Sequence, residues 1–140
     1  NYLGQWAKNF EPLKGRVRKL FRLSEEMRKN AAALDPYLFA PSSLEPETKK
    51  EKMHEANRLL MGLEREFSLA QGIPNRNWFK HLIFGTRSTY EALLLPELQE
   101  AAEAGDEPGV MAAISHLEEA LTRVNSKLRD IGSILGGRHP

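Results

Sequence analysis

Apolar residues recur at steps of three and four along the last third of the chain, which is the spacing of one helix face. This seam consists of Val110, Ile114, Leu117, Leu121, Val124, Leu128, Ile131 and Leu135. Asp106 can cap the start of the helix, Pro108 suits its first turn, and Gly136-Gly137 stops it. The pattern therefore predicts a long final helix between Asp106 and the glycine pair.

Two earlier stretches carry shorter seams of the same kind. The first predicts a helix from about Pro12 to just before Asp35-Pro36, because the residue before a proline disfavours helical geometry. Its seam consists of Val17, Leu20, Phe21, Met27, Ala31 and Leu34. The second predicts a helix that Gly72 and Pro74 terminate, with a seam of Met53, Ala56, Leu60, Leu63, Phe67 and Ala70.

The segment YEALLLPELQEAAEAGD predicts a shorter helix before the last one. Pro96 fits the first turn of a helix that starts near Leu95, which leaves Ser88 to Leu94 as an ordered turn. The alternative is a helix that begins at Ser88 and is interrupted by Pro96. Strand-like alternation is weak and confined to residues 81–84. We therefore predict an all-α four-helix bundle with a long ordered loop between the second and third helices.

That loop contains the most aromatic stretch of the chain, NWFKHLIFG, from Asn77 to Gly85. The stretch follows no helical stripe, although it lies between two periodic segments. One interpretation is a plug that closes one end of the bundle, since aromatic side chains bury large areas. The other is an exposed platform that contacts a partner. Composition alone leaves both open.

Composition restricts the classes of protein to consider. The chain has 140 residues, of which 41% are hydrophobic and 28% charged, so it suits one folded domain spanning residues 1–140. Its net charge of +1 gives no general attraction to nucleic acid or anionic membrane. It has no cysteine, which excludes disulfides and thiolate metal sites. The first residue is Asn, and we expect the chain to be a fragment of a larger protein.

Chemistry-bearing residues form no recognisable site. The four histidines lack metal-ligand spacing, and we expect His54 and His116 on polar, exposed helix faces. A nucleophile elbow and a phosphate loop are both missing from the sequence. The basic run from Lys14 to Arg22 could grip phosphates, but a solvated face or an acidic neighbour within the fold explains it better. We predict no catalytic residue, no metal site and no cofactor in this chain.

The run from His54 to Gly85 is more specific than its composition. Leu63-Glu64-Arg65-Glu66-Phe67 precedes the turn Gly72-Ile73-Pro74, and an aromatic, a basic residue, His81 and an apolar-aromatic segment follow. Tyr90 stands six residues before Pro96. These features resemble the C-terminal helical domain of the transferrin receptor and glutamate carboxypeptidase II family, the transferrin-receptor-like dimerisation domain. The first and last helices match that family only by pattern.

The resemblance implies a non-catalytic domain that assembles a homodimer and packs on an upstream peptidase-like domain of the same protein. It places the inter-domain contact in the loop, at Trp78, Phe79, His81 and Phe84. It assigns Tyr90 either to the substrate pocket of the intact parent or to anchoring the loop, and it leaves any zinc in the upstream domain. For the dimer face we predict the outer side of the last helix with Leu93, Leu94, Leu95 and Leu98.

The resemblance also implies a parent anchored in a membrane, with this domain outside the cell or in an endomembrane or vacuolar lumen. We expect neither nucleic-acid binding nor direct membrane insertion by this chain, since no apolar run is long enough to span a bilayer.

The alternative function is a monomeric helical adaptor that binds another protein through loop 77–85. A second rival is a binder of acidic surfaces that works through the Lys14 to Arg22 run.

Overall fold

The computed structural model of the protein describes residues 11–39, 45–86 and 92–136. Its helices are α1 (Glu11–Ala32), α2 (Asp35–Phe39), α3 (Pro46–Gly62), α4 (Pro96–Ala104) and α5 (Glu107–Gly136). A 3-10 helix, Glu64–Phe67, follows α3, and two short antiparallel strands form β1 (Phe84–Thr86) and β2 (Ala92–Leu94). The predicted all-α, bundle-like fold is confirmed, with this small ribbon added to it.

Helix α5 is the centre of the fold. The eight residues of its predicted seam are all buried, and α1, α3 and α4 pack chiefly on α5 rather than on one another. One core cluster gathers the first half of α5, the start of α1, α4 and the loop around Ile73 and Leu82. A second cluster gathers the other half of α5 with Leu34 and Ala56. The two halves of α5 therefore organise two adjoining cores.

Polar contacts fix the direction of α1 relative to α5. Arg16 bonds to Glu118, 102 residues ahead, and Glu26 accepts a bond from Arg129, 103 residues ahead. If the two helices were antiparallel, the sequence separation of bonded residues would fall by two for each residue further along α1. Between these two bonds the separation changes only from 102 to 103, as it does in a parallel pair. The two longest helices therefore run parallel, which requires crossover connections rather than a simple up-and-down order.

Helix α3 ends ten residues before the predicted stop at Gly72. After Gly62 the backbone tightens into the 3-10 helix, and Leu69 and Leu82 then donate backbone bonds to Lys80 (2.8 Å) and Phe67 (2.7 Å). These bonds across the loop replace the helical ones. The predicted seam nevertheless continues to Phe67, because the 3-10 turn keeps that side chain against the core.

The start of α4 is as predicted, with Pro96 in its first turn, but the preceding residues differ. Ala92–Leu94 form a strand rather than a turn, with Phe84 opposite Leu94 and Thr86 opposite Ala92. The Leu95 N–H then donates to the Ile83 carbonyl at 2.8 Å, and Leu95 adopts φ 51°. This left-handed residue turns the chain from the strand into the helix.

One buried polar side chain links α1 to α5. Asn125 is 1% exposed, its Nδ2 donates to the Leu23 carbonyl at 3.0 Å, and its Oδ1 accepts from Asn30 Nδ2 at 2.9 Å. A buried amide is stable only when its hydrogen bonds are made. Sliding α1 along α5 would break both bonds, so Asn125 sets the register of the two helices.

We predict that Asn125→Ala lowers the free energy of unfolding by about 2 kcal/mol, since it empties buried space and leaves Asn30 without its partner. Urea unfolding followed by circular dichroism measures the loss. The control is Asn57→Ala on the exposed side of α3, where the same change should be near neutral. Equal losses in the two variants would contradict the register role.

Candidate functional site

An apolar groove opens on the surface between α1 and the 3-10 helix and loop that follow α3. It has a cavity volume of about 890 Å3, and residues Ile114, Leu117 and Leu121 of α5 form its floor. Leu13, Val17 and Leu20 are among the α1 residues of one wall, and the opposite wall includes Phe67, Ile83 and Phe84. We call this cavity the apolar groove. A second depression of about 480 Å3 lies next to it and shares Met27 and Phe67 with it.

The groove exists because α1 on one side, and the 3-10 helix with its following loop on the other, pack on α5 without closing on each other. The stripe of α1 at positions 13, 17, 20, 24 and 27 faces the groove, yet only Leu13 in it is fully buried. Val17, Leu20 and Met27 remain half-buried. Apolar walls of this extent in contact with water mark a binding surface or a contact with another protein.

Phe21 stands at the rim of the groove and is 70% exposed. The sequence assigned it to the core seam of the first helix, and that assignment was wrong. The stripe that faces the groove takes Leu20 and then Ser24, so its neighbour Phe21 is rotated outward. Two adjacent apolar residues on one helix were the signal that one of them had to leave the seam.

The loop that contributes to the second wall of the groove is held by its own backbone hydrogen bonds. The Ile73 N–H donates to the Phe79 carbonyl at 2.9 Å, and the Phe79 N–H donates to Arg76 at the same distance. Gly72 adopts φ +75°, and a Cβ there would overlap the Asn77 carbonyl. The Arg76 guanidinium lies 5.3 Å from the Phe79 ring centre and donates to Thr86 and Glu100.

The aromatic stretch divides into buried and exposed residues. Leu82 is buried and Phe79 half-buried beneath Arg76, as a plug requires. Trp78 is 73% exposed and Phe84 63% exposed, as a platform requires. His81 turns inward, where its Nδ1 accepts backbone bonds of 3.1 Å from Ile83 and Phe84. Both interpretations of the stretch therefore describe part of it.

We predict that Gly72→Ala destabilises the fold by about 2 to 3 kcal/mol, since the added methyl meets backbone at a left-handed position. The matched control is Gly105→Ala, where φ is +68° and a Cβ meets nothing within 4 Å. Thermal unfolding of both variants isolates the cost of the close approach. A loss at Gly72 no larger than at Gly105 would show that the loop yields easily.

The four leucines predicted for the dimer face do not share one exposed surface. Leu93 is 3% and Leu98 6% exposed, so both side chains are buried inside the fold. Leu95 is half-buried and lines the apolar groove. Leu94 is 63% exposed and lies opposite Phe84 in the ribbon. The exposed positions of the described part of α5 are mostly polar, so the outer side of α5 offers no second apolar face. Tyr90 lies outside the described residues.

One acidic residue of α5 accounts for part of the basic run. Glu118 is 7% exposed and accepts bonds from Arg16 Nε at 3.1 Å and Lys19 Nζ at 2.8 Å. The basic run therefore does meet an acidic neighbour within the fold, through these two cations, while Arg18 and Arg22 stay exposed. Burial acts to raise the pKa of Glu118, but its hydrogen bonds with the two cations outweigh burial and lower that pKa below its usual value.

Two further carboxylates join separate elements. Glu97 is 5% exposed, and its carboxylate lies 3.0 Å from His116 Nδ1. His116 is half-buried, so the prediction of an exposed histidine was wrong. Residue Glu66 of the 3-10 helix accepts bonds from Lys127 and from Arg123 Nε, the latter at 2.9 Å. Chiefly through the Lys127 bond, these cations lower the pKa of the Glu66 carboxyl.

The lowered pKa of Glu66 predicts a pH-dependent contribution to stability. A carboxyl with a lower pKa in the folded state stabilises the fold above the ordinary glutamate pKa of about 4.3, and this contribution is lost as pH falls through the folded-state value. Glu66→Gln should therefore lower stability at neutral pH, and its difference from the unsubstituted chain should shrink towards about pH 3. Urea unfolding at several pH values measures this. Glu55→Gln, on an exposed turn of α3, is the control, and a difference that is constant with pH would contradict the prediction.

Within residues 11–39, 45–86 and 92–136, no three His, Cys, Asp or Glu side chains are grouped so that they could hold a metal ion. The described helices include none that is both long and apolar enough to cross a bilayer. The described residues combine partly buried ion pairs between elements with an open apolar groove.

Comparison with known proteins gives one match. A family model described as the transferrin receptor-like dimerisation domain matches residues 8–129. No curated protein and no solved structure matches the chain significantly. The matched range includes all of α1, α3 and α4, the loop between α3 and β1, and most of α5.

Proposed function

Because the chain belongs to the transferrin receptor-like dimerisation domain family, we propose that it holds two copies of a larger protein together as the helical part of a homodimer. The observation that carries the proposal is the apolar groove, which the described residues of the chain leave open. Its mechanism is burial of apolar surface between subunits. A permanent interface of this kind is large and more apolar than the rest of a protein surface.

The proposal includes a second contact, with an upstream peptidase-like domain of the same protein. Trp78 and Phe84 support it, since both are more than 60% exposed while the backbone that carries them is tied to the core. A rigid loop that presents aromatic side chains loses little conformational freedom on binding. By the family resemblance, Tyr90 would either contribute to the substrate pocket of that domain or anchor the loop. Any zinc and its ligands belong to the upstream domain.

We predict that the isolated chain sediments with about twice its 15.9 kDa mass once its concentration exceeds the dissociation constant. A concentration series by sedimentation or light scattering measures this. The mass should fall to that of one chain on dilution, as mass action requires. A single-chain mass up to millimolar concentration would contradict self-assembly by this domain alone.

The alternative is a monomeric adaptor that binds another protein through loop 77–85, and the 73% exposure of Trp78 favours it. Trp78→Ala separates the two functions. In a homodimer that uses the groove, this variant keeps the dimer mass. In a monomeric adaptor, the mass is that of one chain from the start, and Trp78→Ala abolishes capture of the separate protein that the adaptor binds.

A further inference from the structure

We propose that the apolar groove binds an amphipathic helical segment of a separate protein. The segment carries apolar residues on the face that enters the groove and acidic residues along the edge that lies over α1. This occupant goes beyond the proposed homodimer, because it is neither a second copy nor the upstream domain. Only its regulatory effect rests on the proposed function: where the groove joins two copies, the segment competes with the second copy and weakens the dimer.

The shape of the groove selects a helix as its occupant. Its α1 wall extends from Leu13 to Met27, which is about 21 Å along a helix axis. The opposite wall includes Phe67 and Ile83, so both sides of this concave channel are apolar. A helix of about four turns fits such a channel, as amphipathic helices do in other apolar grooves. A lipid bilayer is flat on this scale and cannot enter a recess between two walls.

The exposed side of α1 beside the groove is basic. Arg18, Arg22 and Lys29 are exposed, and no described residue forms an ion pair with them. Glu25 is exposed as well, but it already accepts bonds from Arg28. The helix therefore presents positive charge that the described part of the chain does not neutralise. Acidic side chains on a partner complement this charge.

These cations lie next to the apolar stripe of the groove. Arg18 follows Val17, which lines the groove, and lies one turn before Phe21 on the rim. Phe21 is 70% exposed, so a segment in the groove covers apolar surface that water now contacts. An arginine side chain is long enough to extend along such a rim with its charged end in water. One helical segment can therefore bury its apolar face beside Phe21 and place its acidic edge near Arg18.

The opposite wall has the other sign of charge. Glu64 lines the groove there, and its side chain is 85% exposed. A segment that is acidic along both edges would bring like charges together at this wall, which is unfavourable. The partner's acidic residues therefore lie on the edge over α1, and its other edge is neutral or basic. This asymmetry also fixes the direction of a given segment, because turning it end for end exchanges its two edges.

The first test uses two synthetic peptides and the full 140-residue chain. Each fluorescent peptide has about 14 residues, with leucine on one helical face and glutamine on the other. One peptide has glutamate along one edge beside the leucines, and the second has lysine at the same positions. The glutamate peptide should bind at least about tenfold more tightly in an anisotropy titration, and this preference should fall at high salt. Equal binding of the two peptides, tighter binding of the lysine peptide, or no saturable binding of either overturns the proposal.

The second test substitutes the exposed aromatic residue on the rim. Phe21→Ser should weaken binding of the glutamate peptide about five- to tenfold, since an aromatic anchor is lost. The matched control is Phe39→Ser in α2, where the side chain is 83% exposed and lines neither depression. Circular dichroism should show the same helical content in both variants, because both side chains are exposed. Equal affinities of the two variants would overturn the groove as the binding site.

The third test reverses one charge. Arg18→Glu should weaken binding of the glutamate peptide about three- to tenfold and strengthen binding of the lysine peptide. The control is Lys50→Glu in α3, which is exposed, lines neither depression and changes the net charge equally. It should alter both affinities by less than about twofold, because salt screens distant charges. Equal effects of the two substitutions would reveal a general response to net charge and overturn the role of α1.

A membrane is the other partner that basic and aromatic side chains on one helix suit. Flotation of the chain with vesicles of phosphatidylserine and phosphatidylcholine tests it. The chain should stay in the unbound fraction at physiological salt. Vesicle binding that Phe21→Ser abolishes, together with no binding of the glutamate peptide, would assign this face to a membrane and overturn the proposal.

Sedimentation of the chain with saturating glutamate peptide tests the competition. The mass of the dimer should fall towards that of one chain with one peptide. A dimer that keeps its mass with peptide bound retains the binding site and overturns the competition. A dimer that binds no peptide overturns this inference and leaves the proposed function standing. A chain that binds the peptide but never dimerises overturns the proposed homodimer alone.

Discussion

The fold depends on one helix being shared by all the others. The 30-residue helix α5 buries residues on several of its sides, and α1, α3 and α4 reach the core by packing on it. A helix has limited circumference, so neighbours that crowd around it also separate from one another unless a further layer closes the gap. In this chain the described residues supply no such layer between α1 and the loop after α3. The apolar groove is the geometric result.

Buried polar groups then decide how each element lies on α5. Asn125 fixes the position of α1 along the axis, Glu66 ties the 3-10 helix to Arg123 and Lys127, and Glu97 ties α4 through His116. Each makes a specific bond within an otherwise apolar contact. Their role is to select one arrangement among those that hydrophobic packing would tolerate. A rigid scaffold of this kind keeps the open groove and the loop in a fixed relation.

Sequence periodicity predicted the elements whose contacts are regular and failed where tertiary contacts took over. The eight-residue seam of α5 is buried as expected, because α5 is a regular helix throughout and α1, α3 and α4 all pack on it. The end of α3 was misplaced, since Phe67 keeps the helical spacing although the backbone has become a 3-10 turn. The resemblance of the loop block to a known family agreed with the family match.

The candidate site was harder to predict than the fold. An exposed Phe21 and a buried Glu118 both contradict the usual preference of their residue types. The burial of Glu118 is explained by Arg16 and Lys19, about a hundred residues earlier in the chain, which bond to its carboxylate. The exposed Trp78 and half-buried Phe79 are adjacent in sequence and separated only by the turn geometry of the loop. The spacing of apolar residues along the chain does not predict which distant element will cover a given side chain.

The parallel pairing of α1 with α5 has a consequence for the order in which the protein is made. Arg16 finds Glu118 only after 102 more residues have been added, and the same holds for the Leu23 carbonyl and Asn125. Until α5 leaves the ribosome, α1 lacks the surface on which it packs, and its apolar stripe is exposed to water and to other nascent chains. Helix α1 is thus synthesised before the other helices described here but settles only with the last of them, so the nascent chain must be protected from aggregation in the interval.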